Sequence, residues 1–120
     1  MSLGTFSLGP EARLKTRKDF DRVFSLGRKA AGRNMILWHG HVPGDGTARL
    51  GLAISVRVGC AVRRNRFKRL AREAFRLSRP QLRGGTDMVV YIRPGCRWQD
   101  LAGAQKDFLD LCAKEGLLAS

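Results

Sequence analysis

The 120-residue chain has 23 Lys and Arg against 10 Asp and Glu, a net charge of +13, and 43% of its residues are hydrophobic. That length suits a single domain with a small core, and the charge points to a polyanionic partner, nucleic acid before an anionic membrane. No apolar run approaches the ~18 residues of a spanning helix, and the opening MSLGTFSLGP lacks the charged start and long apolar stretch of a secretory signal.

Residues 1–12 hold two glycines and a proline with little pattern, and read as a flexible lead-in to one domain over 13–118. Thr16, with Asp19 three residues on, resembles a helix N-cap, so a first helix is expected over 17–26, with Gly27 as its stop. Phe20, Val23 and Phe24 form its apolar patch. They read either as core or, for Phe20 and Phe24 one turn apart, as the lining of a groove where bases stack. Residues 28–33 (RKAAGR) read as basic and irregular. A strand is expected from Asn34 to about Val42. Ile36 and Trp38 share one of its faces; Met35, Leu37, His39 and His41 share the other. Both faces are largely apolar, one for the core and one for a cleft. PGDG at 43–46 is a hairpin-turn signal. Arg49 to Arg57 alternates, with Leu50, Leu52, Ile54 and Val56 on the apolar side.

The stretch from Arg57 to Arg76 holds eight basic residues against one acid, Glu73. At 100° per residue, Leu70, Ala71, Ala74 and Leu77 fall within about 80° of Phe67 and make an apolar stripe. Phe75 lies at its border. Gly59 is a breaker just before this helix. Arg64, Asn65, Lys68, Arg69, Arg72 and Arg76 cover the adjoining arc. A solvated helix intersperses acids at i±4 spacing; this face has almost none, an arrangement suited to a bound polyanion. A fourth extended segment is expected over 87–93, with Met88, Val90 and Ile92 opposite Val89 and Tyr91. A last helix follows over about 99–115, with Leu101, Ala104, Phe108, Leu111 and Cys112 on one stripe. The predicted fold class is α+β, a single small domain of order α-β-β-(β)-α-β-α, with helices packed on a mostly antiparallel sheet.

The residues Val58, Gly59, Ala61, Val62, Arg64, Asn65, Arg66, Lys68, Arg69, Arg72 and Glu73 form the pattern V-G-x-A-V-x-R-N-R-x-K-R-x-x-R-E. It resembles the signature of the bacterial ribonuclease P protein component. The resemblance extends to RLKTRKDFDRVF at 13–24 and GGTDMVVYIRP at 84–94, so it covers nearly the whole chain. It implies a fold shared with ribosomal proteins and elongation factors, with a left-handed βαβ crossover around the basic helix. It implies an RNA-binding, cytoplasmic subunit of a tRNA-processing endonuclease, which removes the 5′ leader of precursor tRNA by hydrolysing one phosphodiester bond. The active site, with its Mg2+, lies in the catalytic RNA subunit, and the protein contributes no catalytic side chain. By the same resemblance Arg57, Arg64, Asn65, Arg66, Lys68, Arg69 and Arg72 bind the RNA subunit. Phe20, Phe24, Ile36 and Trp38 line a cleft for the single-stranded leader. No membrane and no obligate protein partner is implied. Two positions depart from the common pattern: Val56 and Arg57 replace two lysines, and Cys60 replaces an asparagine.

The residues read by themselves agree with a non-catalytic role. No motif groups the ten acids into a metal-holding cluster or an acid–base pair. His39 and His41 point the same way from one strand and have no identifiable third partner, so they are expected to be structural or surface residues. Asn65, set among arginines and expected to be buried there, could fix a loop or a 2′-hydroxyl. Cys60, Cys96 and Cys112 lack zinc-site spacing and are expected as buried or inert thiols. Three other readings stay open: a ribosomal-type RNA-binding protein of the same fold, a DNA-binding domain with its basic helix in a major groove, and an autonomous metal-dependent nuclease.

Overall fold

The structure, a computed structural model, describes residues 13–14, 16–41, 48–82 and 84–118. The expected lead-in at 1–12 and the hairpin turn at 43–46 lie outside the described residues. Helix α1 spans Arg17–Leu26, followed by strands β1 (Arg28–Ala31), β2 (Met35–His41) and β3 (Arg49–Ile54). Helix α2 spans Ala61–Ser78, strand β4 Thr86–Ile92 and helix α3 Leu101–Lys114. The α+β order read from the sequence is therefore the observed one, with three strands ahead of the basic helix.

The strands form one sheet in the order β1-β2-β4-β3. β2 pairs antiparallel with both β1 and β4, whereas β3 runs parallel to β4. A parallel pair needs a long crossover, and α2 supplies it. Because β4 is interior to the sheet and covered on both sides, six of its seven residues are buried, which is why TDMVVYI reads as a nearly continuous apolar run.

Alternation sorts the side chains onto two faces. Met35, Leu37, Leu50, Met88, Val90 and Ile92 bury against α2 and α3 in the main core. On the other face Val89 joins Leu14 and Val23 in a smaller cluster, with Phe20 and Trp38 packed against it. Among the described residues this second face is covered by α1, with Leu14 beside it. The ten residues of α1 reach about 15 Å at 1.5 Å per residue, while the seven-residue strands beneath run about 23 Å. The helix thus leaves part of the face uncovered.

Thr16 caps α1 as expected, its hydroxyl accepting from the Asp19 N–H at 3.1 Å. Gly27 ends the helix for another reason than backbone freedom. Its φ of −84° is extended, but a Cβ there would collide with the Val23 carbonyl and lie 2.6 Å from the His39 carbonyl oxygen.

Four local expectations need correction. Residues 28–31 are a strand, paired to β2 from Arg28↔His39 to Ala31↔Ile36. β3 stops at Ile54, and Ser55 Oγ accepts from the Arg57 N–H at 3.0 Å to start a 3-10 turn over Val56–Val58. Val56, expected on the apolar side, is 77% exposed, and Val58 is buried in its place. The buried stripe of α2 is Phe67, Ala71, Ala74, Phe75 and Ser78. It is rotated toward Phe75, which is fully buried against Phe108 of α3 with ring centroids 6.1 Å apart, while Leu77 is 39% exposed.

This rotation gives a direct test. Phe75→Ala should cost about 3–5 kcal/mol in urea unfolding, as large core truncations do. Leu77→Ala should stay within about 1 kcal/mol of the unaltered chain. The reverse ranking would put the helix face where the simple wheel has it.

Candidate RNA-binding surface

The start of α2 is set by Gly59, whose φ of +146° lies in a region other residues rarely adopt. The Arg64 guanidinium folds back and donates to the Gly59 carbonyl at 2.6 Å. From there Arg57, Asn65, Arg66, Arg69 and Arg72 are exposed, and Arg64 and Lys68 are half-buried. Asn65 was expected to be buried among arginines; instead it projects outward. Among the described residues none of these cations forms an ion pair. The acids are engaged elsewhere: Asp19 with Arg22, Asp21 with Arg17, Glu73 with Arg76, Asp110 with Lys106, Glu115 with His39, and Asp87 with Arg49 and Arg22. Asp100 caps α3 through the Gly103 N–H, and Asp107 accepts from Asn34 and Trp98. The cations therefore crowd without relief. Partial burial, then Arg13 and Arg69, hold the Arg72 pKa below its ordinary value.

The basic set does not form one flat surface. Residues two apart are ~160° apart around a helix, and Arg66 and Lys68 accordingly lie on opposite flanks. Lys68 and Arg72 face α1 and β3, where with Arg13, Phe20, Leu50 and Leu52 they line a cleft of about 270 Å³. On the other flank the Arg66 guanidinium donates to the Gln99 carbonyl at 2.6 Å.

The second constellation fills the open part of the sheet. Phe20 and Phe24 have ring centroids 6.5 Å apart, Phe24 and Trp38 are 5.1 Å apart in an edge-to-face pair, and Trp38 and Tyr91 are 6.4 Å apart. The Lys29 ammonium lies 6.0 Å from the Trp38 ring. Phe24 is 43% exposed, and Ile36, half-buried, is paired in register with Tyr91. All four residues expected in the cleft thus come together on one face. Val23, grouped with them in the sequence, is core. Tyr91 completes the ladder. Its parity with Val89 on β4 was the signal for it. The Phe20 ring rests on Gly51, where a Cβ would lie 2.6 Å from it. α1 is held over the sheet by Asp87, which accepts from Arg49 at 2.8 and 2.6 Å and from Arg22 at 3.4 Å.

His39 is buried, with Nε2 2.9 Å from Glu115 Oε1, and joins β2 to the end of α3. The His41 side chain lies outside the described residues. Among the described residues no three His, Cys, Asp or Glu converge as metal ligands, and the acids just named are taken up by protein donors. Cys96 and Cys112 are buried, and burial pushes the Cys112 thiol up to about 12. Cys60 differs from the other two. It is exposed, and the neighbouring Arg63 N–H lowers its pKa.

The chain matches known proteins over most of its length. Residues 8–116 match the family model described as Ribonuclease P. A "Ribonuclease P protein component" of Dictyoglomus thermophilum is 39% identical over 100 residues, covering 82% of each chain. One from Syntrophomonas wolfei is 31% identical over 93% of each chain. Among solved structures, the RNase P protein from Thermotoga maritima superposes with a TM-score of 0.72 at 27% identity, over 85% of this chain and 96% of that one. The Staphylococcus aureus RNase P protein gives 0.80 over 90% and 98%, and at 24% identity it speaks to the fold alone. The chain belongs to the ribonuclease P protein-component family, whose members are the protein subunits of an endoribonuclease that partners with an RNA subunit.

Cys60 is the N-cap of α2, and its thiol, although the Arg63 N–H is aimed at it, makes no capping bond within hydrogen-bond geometry. Cys60→Asn, which supplies a capping oxygen, should stabilise the chain by about 0.5–1 kcal/mol. Thermal unfolding of the two forms checks this; an unchanged or lower melting temperature would mean that the helix start is satisfied without a cap.

Proposed function

We propose that this chain binds the catalytic RNA subunit of ribonuclease P through the exposed face of α2, and the single-stranded 5′ leader of precursor tRNA in the aromatic cleft. The observation that supports it is the separation of two chemistries on one small domain. α2 offers unpaired guanidinium groups, which suit phosphate oxygens through their forked donors. The open sheet face offers Phe24, Trp38 and Tyr91, on which bases of any sequence stack. Lys68 and Arg72, between the two, are in place to hold leader phosphates beside Phe20 as well as the RNA subunit.

In this reading the protein is a positioning and electrostatic subunit in the cytoplasm, and the reacting groups and magnesium ions belong to the RNA. The division follows from the resemblance to the ribonuclease P protein component. Purified protein with magnesium should leave precursor tRNA intact, and adding the RNA subunit should produce cleavage at the mature 5′ end. The family match favours this over a ribosomal-type role, and the aromatic cleft beside the basic helix favours it over a major-groove DNA reader.

Two measurements test the assignment. Phe24→Ala or Trp38→Ala should weaken holoenzyme binding of precursor tRNA by roughly 5- to 150-fold, the loss of about 1–3 kcal/mol of stacking. Mature tRNA, which lacks the leader, should bind as before. Equal losses for both substrates would make the aromatics mere scaffold. Separately, binding to the RNA subunit should weaken steeply with salt, and Arg69→Gln should flatten the log–log slope by about 0.7. A salt-independent affinity would remove α2 from the interface.

A further inference from the structure

On the flank of α2 away from the aromatic cleft, a second cleft of about 340 Å³ is lined by Arg63, Arg66, Phe67, Arg97, Trp98 and Gln99. We propose that it is a phosphate-binding subsite for the backbone of the folded RNA subunit, extending that interface from α2 onto the connection between β4 and α3. The inference rests on the reading that α2 binds that RNA.

Three arginines converge here from two separate segments. Arg63 and Arg66 are one turn apart on α2, and Arg97 is exposed on the connection. Phe67 and Trp98 form the floor, both buried, with ring centroids 6.2 Å apart. The Arg63 guanidinium lies over the Phe67 ring, 5.1 Å from its centroid, in a cation–π contact. Apolar walls of this kind strengthen the field of the charges above them.

The connection is held rigidly. The Arg97 N–H donates to Asn34 Oδ1 at 2.9 Å, the Cys96 N–H to the Arg93 carbonyl at 3.0 Å, and Trp98 Nε1 to Asp107 Oδ2 at 2.7 Å. Asn34 donates to the same Asp107 oxygen at 2.7 Å, so this carboxylate on α3 is held by two neutral donors. Asp100, the acid on the connection, accepts from the Gly103 N–H at 2.9 Å. Arg66 bonds a neutral carbonyl, that of Gln99, which ties the two walls together and leaves its charge uncompensated. Among the described residues no carboxylate pairs with any of the three arginines. A preformed pocket of unpaired guanidinium groups suits a phosphodiester, whose charge is fixed and whose oxygens take forked donors.

The test uses the full chain and the RNA subunit as probe, with affinity measured against salt for Arg97→Gln, Arg97→Glu and Arg63→Gln, and Arg69→Gln as reference. Circular dichroism and melting temperature establish that each variant is folded. Arg97→Gln should weaken binding on the order of 5-fold at ~0.1 M salt and flatten the slope by about 0.7. Arg97→Glu should weaken it further, and the assembled enzyme's preference for precursor over mature tRNA should be unchanged. If both Arg97 variants bind like the unaltered chain while Arg69→Gln is impaired, the cleft is not a contact and the α2 reading stands. If Arg69→Gln is also without effect, both fail. If Arg97→Gln instead lowers only the preference for precursor tRNA, the cleft serves the substrate and the proposal is overturned.

Discussion

A carboxylate on the interior strand of the sheet holds the working surface in place. Asp87, 2% exposed, takes a bidentate bond from Arg49 on β3 and a longer one from Arg22 on α1. Burying that charge is tolerable only because it is paired and hydrogen-bonded. The pairing joins three elements that are distant in sequence. It sets β3 beside β4, which requires α2 to cross over, and it seats α1 on the opposite face. Both the basic helix and the aromatic ladder depend on those two placements.

The same arrangement explains the electrostatics. A chain this basic spends its few acids where folding needs them: at a helix cap, in short-range pairs along helices, under α1, and behind Trp98. What remains, among the described residues, is cationic surface on α2 and around the β4–α3 connection that no carboxylate pairs. Self-repulsion there is offset when an RNA backbone supplies the missing charge.

Much of this was legible from the residues. Alternation in β3 and β4 has period two, and capping chemistry at Thr16 is local, so both are read directly. The motif from Val58 to Glu73 pointed to the family, and the cleft residues Phe20, Phe24, Ile36 and Trp38 do assemble. The misses have physical causes. RKAA has no pattern of its own and is a strand only because β2 lies beside it. Phe75 and Leu77 stand at similar angles on either side of Phe67, and only the position of α3 decides which is buried. Arg63 and Arg97 are separated by 34 positions, so their meeting depends on how α2 and α3 pack.

The sheet's two borders have a consequence for the protein before it meets RNA. An unpaired strand border is a template for pairing with another copy, and so for aggregation. Here one border is β1, only four residues long, with Arg28 and Lys29 exposed. Along β3, the other, Arg13 bridges to Leu50 and the Leu14 N–H donates to the Leu50 carbonyl at 2.9 Å. One border is short and charged and the other is partly covered by the chain itself. Growth of the sheet from molecule to molecule is disfavoured at both.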